Sequence, residues 1–430
     1  MKIKRGVSLG RKLLIVAGLF ILGVIFSASF SCAGESQSLN LREIIAEALK
    51  NNPQIKASYQ RYEAALARVK LLRTLADPRF EYEYDKITAD MDAVMRGKTS
   101  PMRTYTISQE IPFPTKLFLR KHAAEKEANS LRDEYKEKEN EIIQKVKETY
   151  FMLSLTNREI QITQDTKILL DQLIRTLTNR YSIGQASQPE VLKAQTEYSK
   201  LDNELVLLEQ KKKISQAMLK SLLNRPQDSE LAEPPVQFEE NSLIVDKTRL
   251  LSLMKNNRPE LKAFREMVGK AEVDYTLAKQ EYLPDFMVRY RREEKDGSLG
   301  EWAGMVGVTI PLWFWDKQDS VVKEAKAQLE EMKLEYQALE NMISYELEAA
   351  LAGVEAQKRL TKLYETSFLP QAEASFRSAS IGFEAGKNDF LDFLDSERML
   401  LEFKLDYARA LVDLEIAYAD LERAVGIDWR

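Results

Sequence analysis

Histidine and cysteine are almost missing from this 430-residue chain, which has one of each, His122 and Cys32. A lone cysteine rules out an intramolecular disulfide. A lone histidine in the charged segment 120–127, with no cysteine beside it, points to a solvated helical surface rather than a metal centre. Glycine (16 residues) and proline (13) are scarce too, which excludes a loop-built or disordered chain. An excess of positive charge is also absent: 63 basic residues face 67 acidic ones, so nothing suggests a nucleic-acid partner. No local motif pairs a nucleophile with a base. Residues 382–388 have the outline of a phosphate loop, but three residues separate their glycines instead of four, and Asn388 stands where a Ser or Thr would hold magnesium. These absences predict no catalytic residue, no cofactor, no metal and no enzyme.

What the chain does have is charge, 30% of its residues, alongside a 44% hydrophobic fraction. That is the composition of long, solvated helices, and the chain is predicted to be mostly α. One long apolar run occurs, Leu13 to Phe26, preceded by Lys2, Lys4, Arg5, Arg11 and Lys12. Its 14 residues fall short of the ~20 needed to span a bilayer as a helix, so residues 1–33 read as a secretory signal peptide. Cleavage after Ala33 is favoured over lipid attachment to Cys32, because Ser29 and Phe30 occupy positions where a lipidation signal wants a Leu-like and a small residue. Removal takes away five basic residues and no acidic one, moving the formal charge from −4 to −9.

The mature chain is written twice. The stretch 180–195 recurs without gaps as 382–397, which places Gly184 on Gly386 and Tyr181 on Phe383. In each copy one apolar-periodic helix arrives and another leaves, so each is a hairpin tip, with glycine supplying the positive φ that a reversing chain needs. Upstream, Asn51-Asn52-Pro53 matches Asn256-Asn257-Arg258-Pro259, and Asp77-Pro78 matches Leu283-Pro284. The repeats are taken as 34–224 and 247–430, with tips at about 181–190 and 383–392, and residues 225–246, containing Pro226, Pro234 and Pro235, form a linker.

Period-two alternation appears only after the second proline of each repeat. Phe80, Tyr82 and Tyr84 alternate with Glu81, Glu83 and Asp85; Phe286, Val288 and Tyr290 alternate with Met287, Arg289 and Arg291. Returning partners run through Tyr105, Ile107, Gln109 and Ile111, and through Trp302, Gly304, Val306, Val308 and Ile310, giving strands within about 79–111 and 285–310. Turns are placed at Arg96-Gly97-Lys98 and at Lys295-Asp296-Gly297-Ser298. Strands of about 11 residues cross a bilayer when tilted, and one apolar and one charged face suit lipid outside and water inside. Four strands cannot close a barrel, and an open edge in lipid is costly, so strands from several copies must combine. The plainer alternative is a pair of soluble hairpins packed on the helices.

Beyond Pro112 and Pro311 the apolar residues recur at spacings of three and four, as in Leu329, Met332, Tyr336, Leu339, Ile343 and Leu347. This is coiled-coil-like packing. Each run would reach on the order of 100 Å if helical throughout, at about 1.5 Å per residue. Pro370 is expected to interrupt the second run.

In order and in duplicate, the glycine tips, the Leu391–Asp395 run, the Ile-Pro strand ends and the Asn-x-Pro starts resemble the TolC-type outer-membrane efflux proteins over essentially the whole mature chain. The resemblance implies a homotrimer in the cell's outer membrane lipid. Each chain would give four strands to one 12-stranded transmembrane β-barrel, and its helical hairpins to a tunnel through the periplasm. It also implies passive export, with a periplasmic adaptor (membrane fusion) protein and an inner-membrane pump as partners. Asp392 and Asp395 match the family's entrance carboxylates and would form two rings at the periplasmic gate. Glu190, Phe383 and Asn388 match an aspartate, a tyrosine and an arginine that latch the entrance shut, but Phe383 lacks the hydroxyl and Asn388 the charge, so Glu190 is left with a helix-capping role. Leu312-Trp313-Phe314-Trp315 resembles the metal-efflux branch, and Trp302, Trp313 and Trp315 are expected at the membrane interface. The competing reading is a secreted or periplasmic structural coiled-coil protein without a pore.

Overall fold

The computed structural model describes residues 39–87, 100–234, 246–295 and 298–427. The signal segment with Cys32, the turn at Arg96-Gly97-Lys98, residues 235–245 of the linker, and Asp296-Gly297 lie outside the described residues.

Each repeat opens with two short helices, α1 (Leu41–Asn51) and α2 (Pro53–Leu72) in the first, α5 (Lys247–Asn257) and α6 (Pro259–Gln280) in the second. Proline starts the second helix of each pair, where its missing N–H is no loss. Two strands follow, β1 (Arg79–Ile87) and β2 (Ser100–Ile111), then β3 (Asp285–Lys295) and β4 (Ser298–Thr309). All pair antiparallel in the order β1-β2-β3-β4, leaving β1 and β4 as edges.

Register sorts the side chains as the alternation requires. Phe80 faces Ile107, which faces Tyr290, which faces Gly304, so the aromatic positions share one surface. Glu81 lies across from Thr106 and Arg291 on the other. Tyr290 stacks on Trp302 with centroids 6.3 Å apart, over the gap left by Gly304. Among the described residues no helix is long and apolar enough to cross a membrane.

The first repeat then runs as one helix of 69 residues, α3 (Pro114–Ser182), and returns as α4 (Gln188–Leu223). At 1.5 Å per residue α3 spans about 100 Å. In the second repeat the corresponding run is α7 (Asp319–Leu363) and α8 (Leu369–Glu384), returning as α9 (Phe390–Val425). As expected, the α-helix is interrupted at Pro370, but the run continues through it. Residues Tyr364–Phe368 form a π-turn, in which the Leu369 N–H reaches back to Tyr364 O. The wider turn absorbs the amide that Pro370 cannot supply, and Tyr364, Phe368 and Phe403 pack beside it, with Phe368 and Phe403 stacked at 5.1 Å. A second π-turn, Phe314–Gln318, precedes α7.

Near the sheet the helices line up as α2, α3, α6, α7; farther away α4, α3, α9 and the α7–α8 run take over. The two layers join where α4 ends beside α1 and α2, and α9 ends beside α5 and α6. There Asn52 donates Nδ2 to Leu222 O (2.9 Å), while Arg258, 2% exposed, donates to Arg423 O and ion-pairs with Glu260 (3.1 Å) and Glu346 (3.2 Å). Asn224 (φ 57) and Gly426 (φ 77) end the two returning helices in left-handed conformation. Apolar clusters fill both junctions, one around Ile142, Val146 and Leu219, the other around Met254, Ile343 and Tyr418.

Candidate functional site

The far ends of the helices, opposite the sheet, hold every residue assigned to a gate. Both tips close with the same hydrogen bonds. Gln185 N–H donates to Arg180 O (2.8 Å) and Gly184 N–H to Tyr181 O (3.0 Å); 202 residues later Lys387 N–H donates to Gly382 O (2.8 Å) and Gly386 N–H to Phe383 O (3.1 Å). This is the Schellman closure, and Gly184 (φ 75) and Gly386 (φ 67) take its left-handed position. A Cβ at either glycine would meet nothing within 4 Å, so it is the backbone conformation alone that calls for glycine.

The tips are packed on one another. Leu170, Leu173, Leu177, Val191 and Ala194 of the first share one apolar cluster with Phe383, Phe390, Phe393 and Leu394 of the second. Phe383 is 9% exposed, with ring contacts to Phe393 (5.5 Å) and Phe390 (6.2 Å). Glu190 accepts the Ser187 N–H at 2.6 Å, so its carboxylate caps α4. Asn388 is exposed but folded back over Gly382, where an added Cβ would come within 2.5 Å of its Cγ and Nδ2. Glu190, Phe383 and Asn388 thus gather at the tips without bonding to each other among the described residues.

A residue that sequence reasoning missed joins the two tips. Arg180 places its guanidinium 4.9 Å from the Phe383 ring centroid and donates to Phe383 O (3.3 Å) and Glu384 O (3.4 Å). It covers the aromatic face and the carbonyl end of α8, two places that favour a cation. The signal available was the repeat itself, since Arg180 aligns with Gly382 and so exists on one tip only. A second bridge links α9 to α4 through an ion pair between Arg398 and Glu197.

Asp392 and Asp395 stand on the first two turns of α9 with exposed side chains, while the intervening Phe393 and Leu394 are buried. Asp395, 71% exposed, accepts from Arg398 at 3.4 Å; Asp392 makes no ion pair to another described residue. One turn on, Glu397 is 4% exposed. Burial pushes its carboxyl up to about 7, Glu197 adds to the rise, and Arg398 and Lys404 oppose it. For Glu197 burial works upward as well, but hydrogen bonds from Arg398 and Lys200 hold its pKa below the usual range. Among the described residues no cluster of His, Cys, Asp and Glu is arranged to hold a metal ion.

Comparison with known proteins gives this geometry its context. The family model for outer membrane efflux proteins matches residues 44–225 and again 250–427. The chain belongs to the outer membrane efflux protein family. Its relatives include the cobalt-zinc-cadmium resistance protein CzcC of Cupriavidus metallidurans, 22% identical over 78% of this chain and 80% of that one. The outer membrane protein TolC of Vibrio cholerae is 20% identical over 90% of each chain. Among solved structures, the outer-membrane channel OprN superposes with a TM-score of 0.80 at 15% identity, covering 90% of each chain, and CusC with 0.79 at 15%, covering 91% and 93%. Members of the family are trimeric outer-membrane channels of tripartite efflux systems, with a helical tunnel and a β-barrel. This efflux protein is therefore an outer-membrane channel that extends into the periplasm, and the reading as a poreless coiled-coil protein falls away.

Proposed function

We propose that three copies of this channel close a 12-stranded barrel in outer-membrane lipid and work with a periplasmic adaptor protein and an inner-membrane pump. The edge strands β1 and β4 support this, since each is paired on one side only and unpaired edges cost several kcal/mol per group in lipid. The division into a signal peptide (1–33), repeats at 34–224 and 247–430, and a linker at 225–246 belongs to the same reading. Asp392 and Asp395 form the periplasmic entrance. The observation that carries this is their exposure on the same turns where Phe390, Phe393 and Leu394 are buried and Leu391 is 40% exposed. Threefold symmetry turns two exposed carboxylates into two rings of three. Charges of one sign around a narrow aqueous path, closer than the Debye length of about 8 Å, attract cations. The metals in the name of CzcC are divalent cations, which rings of carboxylates attract by charge, and divalent cations are the proposed cargo class.

Single-channel recording in a planar bilayer tests the assignment. The pore prefers cations, and multivalent cations that the carboxylate rings hold too tightly to pass block it from the periplasmic side. Asp392→Asn with Asp395→Asn removes the block and weakens the preference while the trimer still forms, because neither side chain holds the fold. An unchanged block in that double variant means the carboxylates face elsewhere.

A further inference from the structure

Inside the chain, the two repeats meet where the sheet joins the helices. The start of α3 packs on the corner between α6 and β3. Phe113 stacks on Phe286 with centroids 6.5 Å apart, and its N–H donates to Asp285 Oδ1 at 2.9 Å. Lys116, 1% exposed, donates from Nζ to Leu283 O (3.1 Å) and to both Asp285 oxygens (3.0 and 3.1 Å). A buried lysine persists here because the carboxylate compensates its charge.

The repeat identifies the counterparts of these four residues. Asp285 opens β3 one residue after Pro284, as Arg79 opens β1 one residue after Pro78. The bond from Lys116 N–H to Phe113 O (2.9 Å) recurs 200 residues later, from Asp316 N–H to Trp313 O (3.1 Å). Phe113, Lys116, Asp285 and Phe286 therefore correspond to Trp313, Asp316, Arg79 and Phe80. Both aromatic positions stay aromatic and both charges are exchanged, so that Lys-on-Asp becomes Asp-on-Arg. A paired exchange of this kind preserves attraction only if the two surfaces face each other.

Within one chain they do not. Arg79 and Phe80 lie on edge strand β1, and Trp313 and Asp316 follow the opposite edge, β4. Phe80 is 64% and Trp313 66% exposed, and neither Arg79 nor Asp316 pairs with another described residue. We propose that a second copy of this chain completes the junction. Asp316 of one copy pairs with Arg79 of the next, and Trp313 packs on the next copy's Phe80, as Lys116 and Phe113 do within the chain. Trp313 then serves the subunit boundary and is withdrawn from lipid. The pairing rests on the trimeric reading above and adds its residue-level register at the point where barrel becomes tunnel.

Paired cysteines test it. Arg79→Cys with Asp316→Cys, oxidised in the outer membrane, gives covalent multimers on a denaturing gel, and either single variant, left with one cysteine once the signal peptide and its Cys32 are removed, gives none. In parallel, Arg79→Asp or Asp316→Arg lowers the melting temperature of the detergent-solubilised trimer by a few degrees, and the double exchange restores most of the loss. A trimer by light scattering that shows no cross-link and no rescue overturns this pairing alone. A monomer overturns the trimeric reading with it.

Discussion

The two repeats share a backbone and differ in what they hang on it. Their tips make the same two hydrogen bonds 202 residues apart, and their returning helices end alike, Arg225 N–H to Lys220 O matching Ile427 N–H to Glu422 O. The side chains at those places diverge. Asp392 and Asp395 align with Glu190 and Lys193, so the second tip presents an exposed carboxylate pair while the first offers a capping glutamate and a lysine. Buried Glu397 aligns with neutral Gln195. Asn52 and Arg258 occupy one structural position, yet one caps a helix end through an amide and the other through a buried cation. Backbone hydrogen bonds fix the hairpin, and the duplicated side chains are free to take separate tasks.

Substitutions that make one repeat resemble the other, or strip the difference, sharpen this contrast. The largest effect is expected at the paired junctions. Arg258→Ala leaves the largely buried Glu137 and the more open Glu260 and Glu346 short of a cation and the end of α9 without its donor, costing about 3 kcal/mol. Asn52→Ala removes a neutral cap and costs about 1–2 kcal/mol. Denaturant unfolding in detergent measures both, and equal losses would dissolve the distinction between the junctions.

A smaller effect is expected at the buried carboxyl of the second tip. The folded pKa of Glu397 is about 7, above its ordinary 4.5, so the protonated form is favoured in the folded chain. Its contribution to stability is fully present below about pH 4.5 and is lost as the pH rises through 7. The melting temperature should therefore be higher at pH 5.5 than at pH 8. Glu397→Gln, which installs the first repeat's residue, should flatten that difference; a slope that survives in the variant would assign the titration to another group.

The smallest energetic effect belongs to Arg180, whose cation–π contact is worth about 0.5–1 kcal/mol. Arg180→Ala removes the side chain that, among the described residues, ties the first tip to the carbonyl end of α8. The trimer should assemble normally, and its conductance in a planar bilayer should show more frequent openings. Unchanged gating would leave the Phe383 cluster and the Arg398–Glu197 ion pair as the hold between the tips.

The aromatic alternation from Phe80 to Tyr84, the three-four spacing around Ile343 and the glycines at the tips could be read without a structure because each follows a local rule of period or backbone conformation. Pro370 could not be read that way. Whether a proline breaks a helix or is absorbed by a π-turn depends on what packs alongside, here Phe403 on another helix. Arg180 escaped notice for a similar reason, since its partners lie more than 200 residues away. The burial of Glu397 depends on the same kind of contact, since Glu197, whose charge adds to the rise in its pKa, lies 200 residues away in the chain.

The sequence by itself determined the duplication, the order of helices and strands, and the hairpin tips. These depend on periodicity, on proline and glycine, and on short-range spacing, all of which act along the chain. Only the tertiary structure decided which residues bind the tips together, which carboxyl is buried and which of the two sheet–helix junctions is filled within the chain. Those outcomes depend on desolvation and on contacts between residues far apart in the chain, and their energies exist only once the helices have been brought side by side.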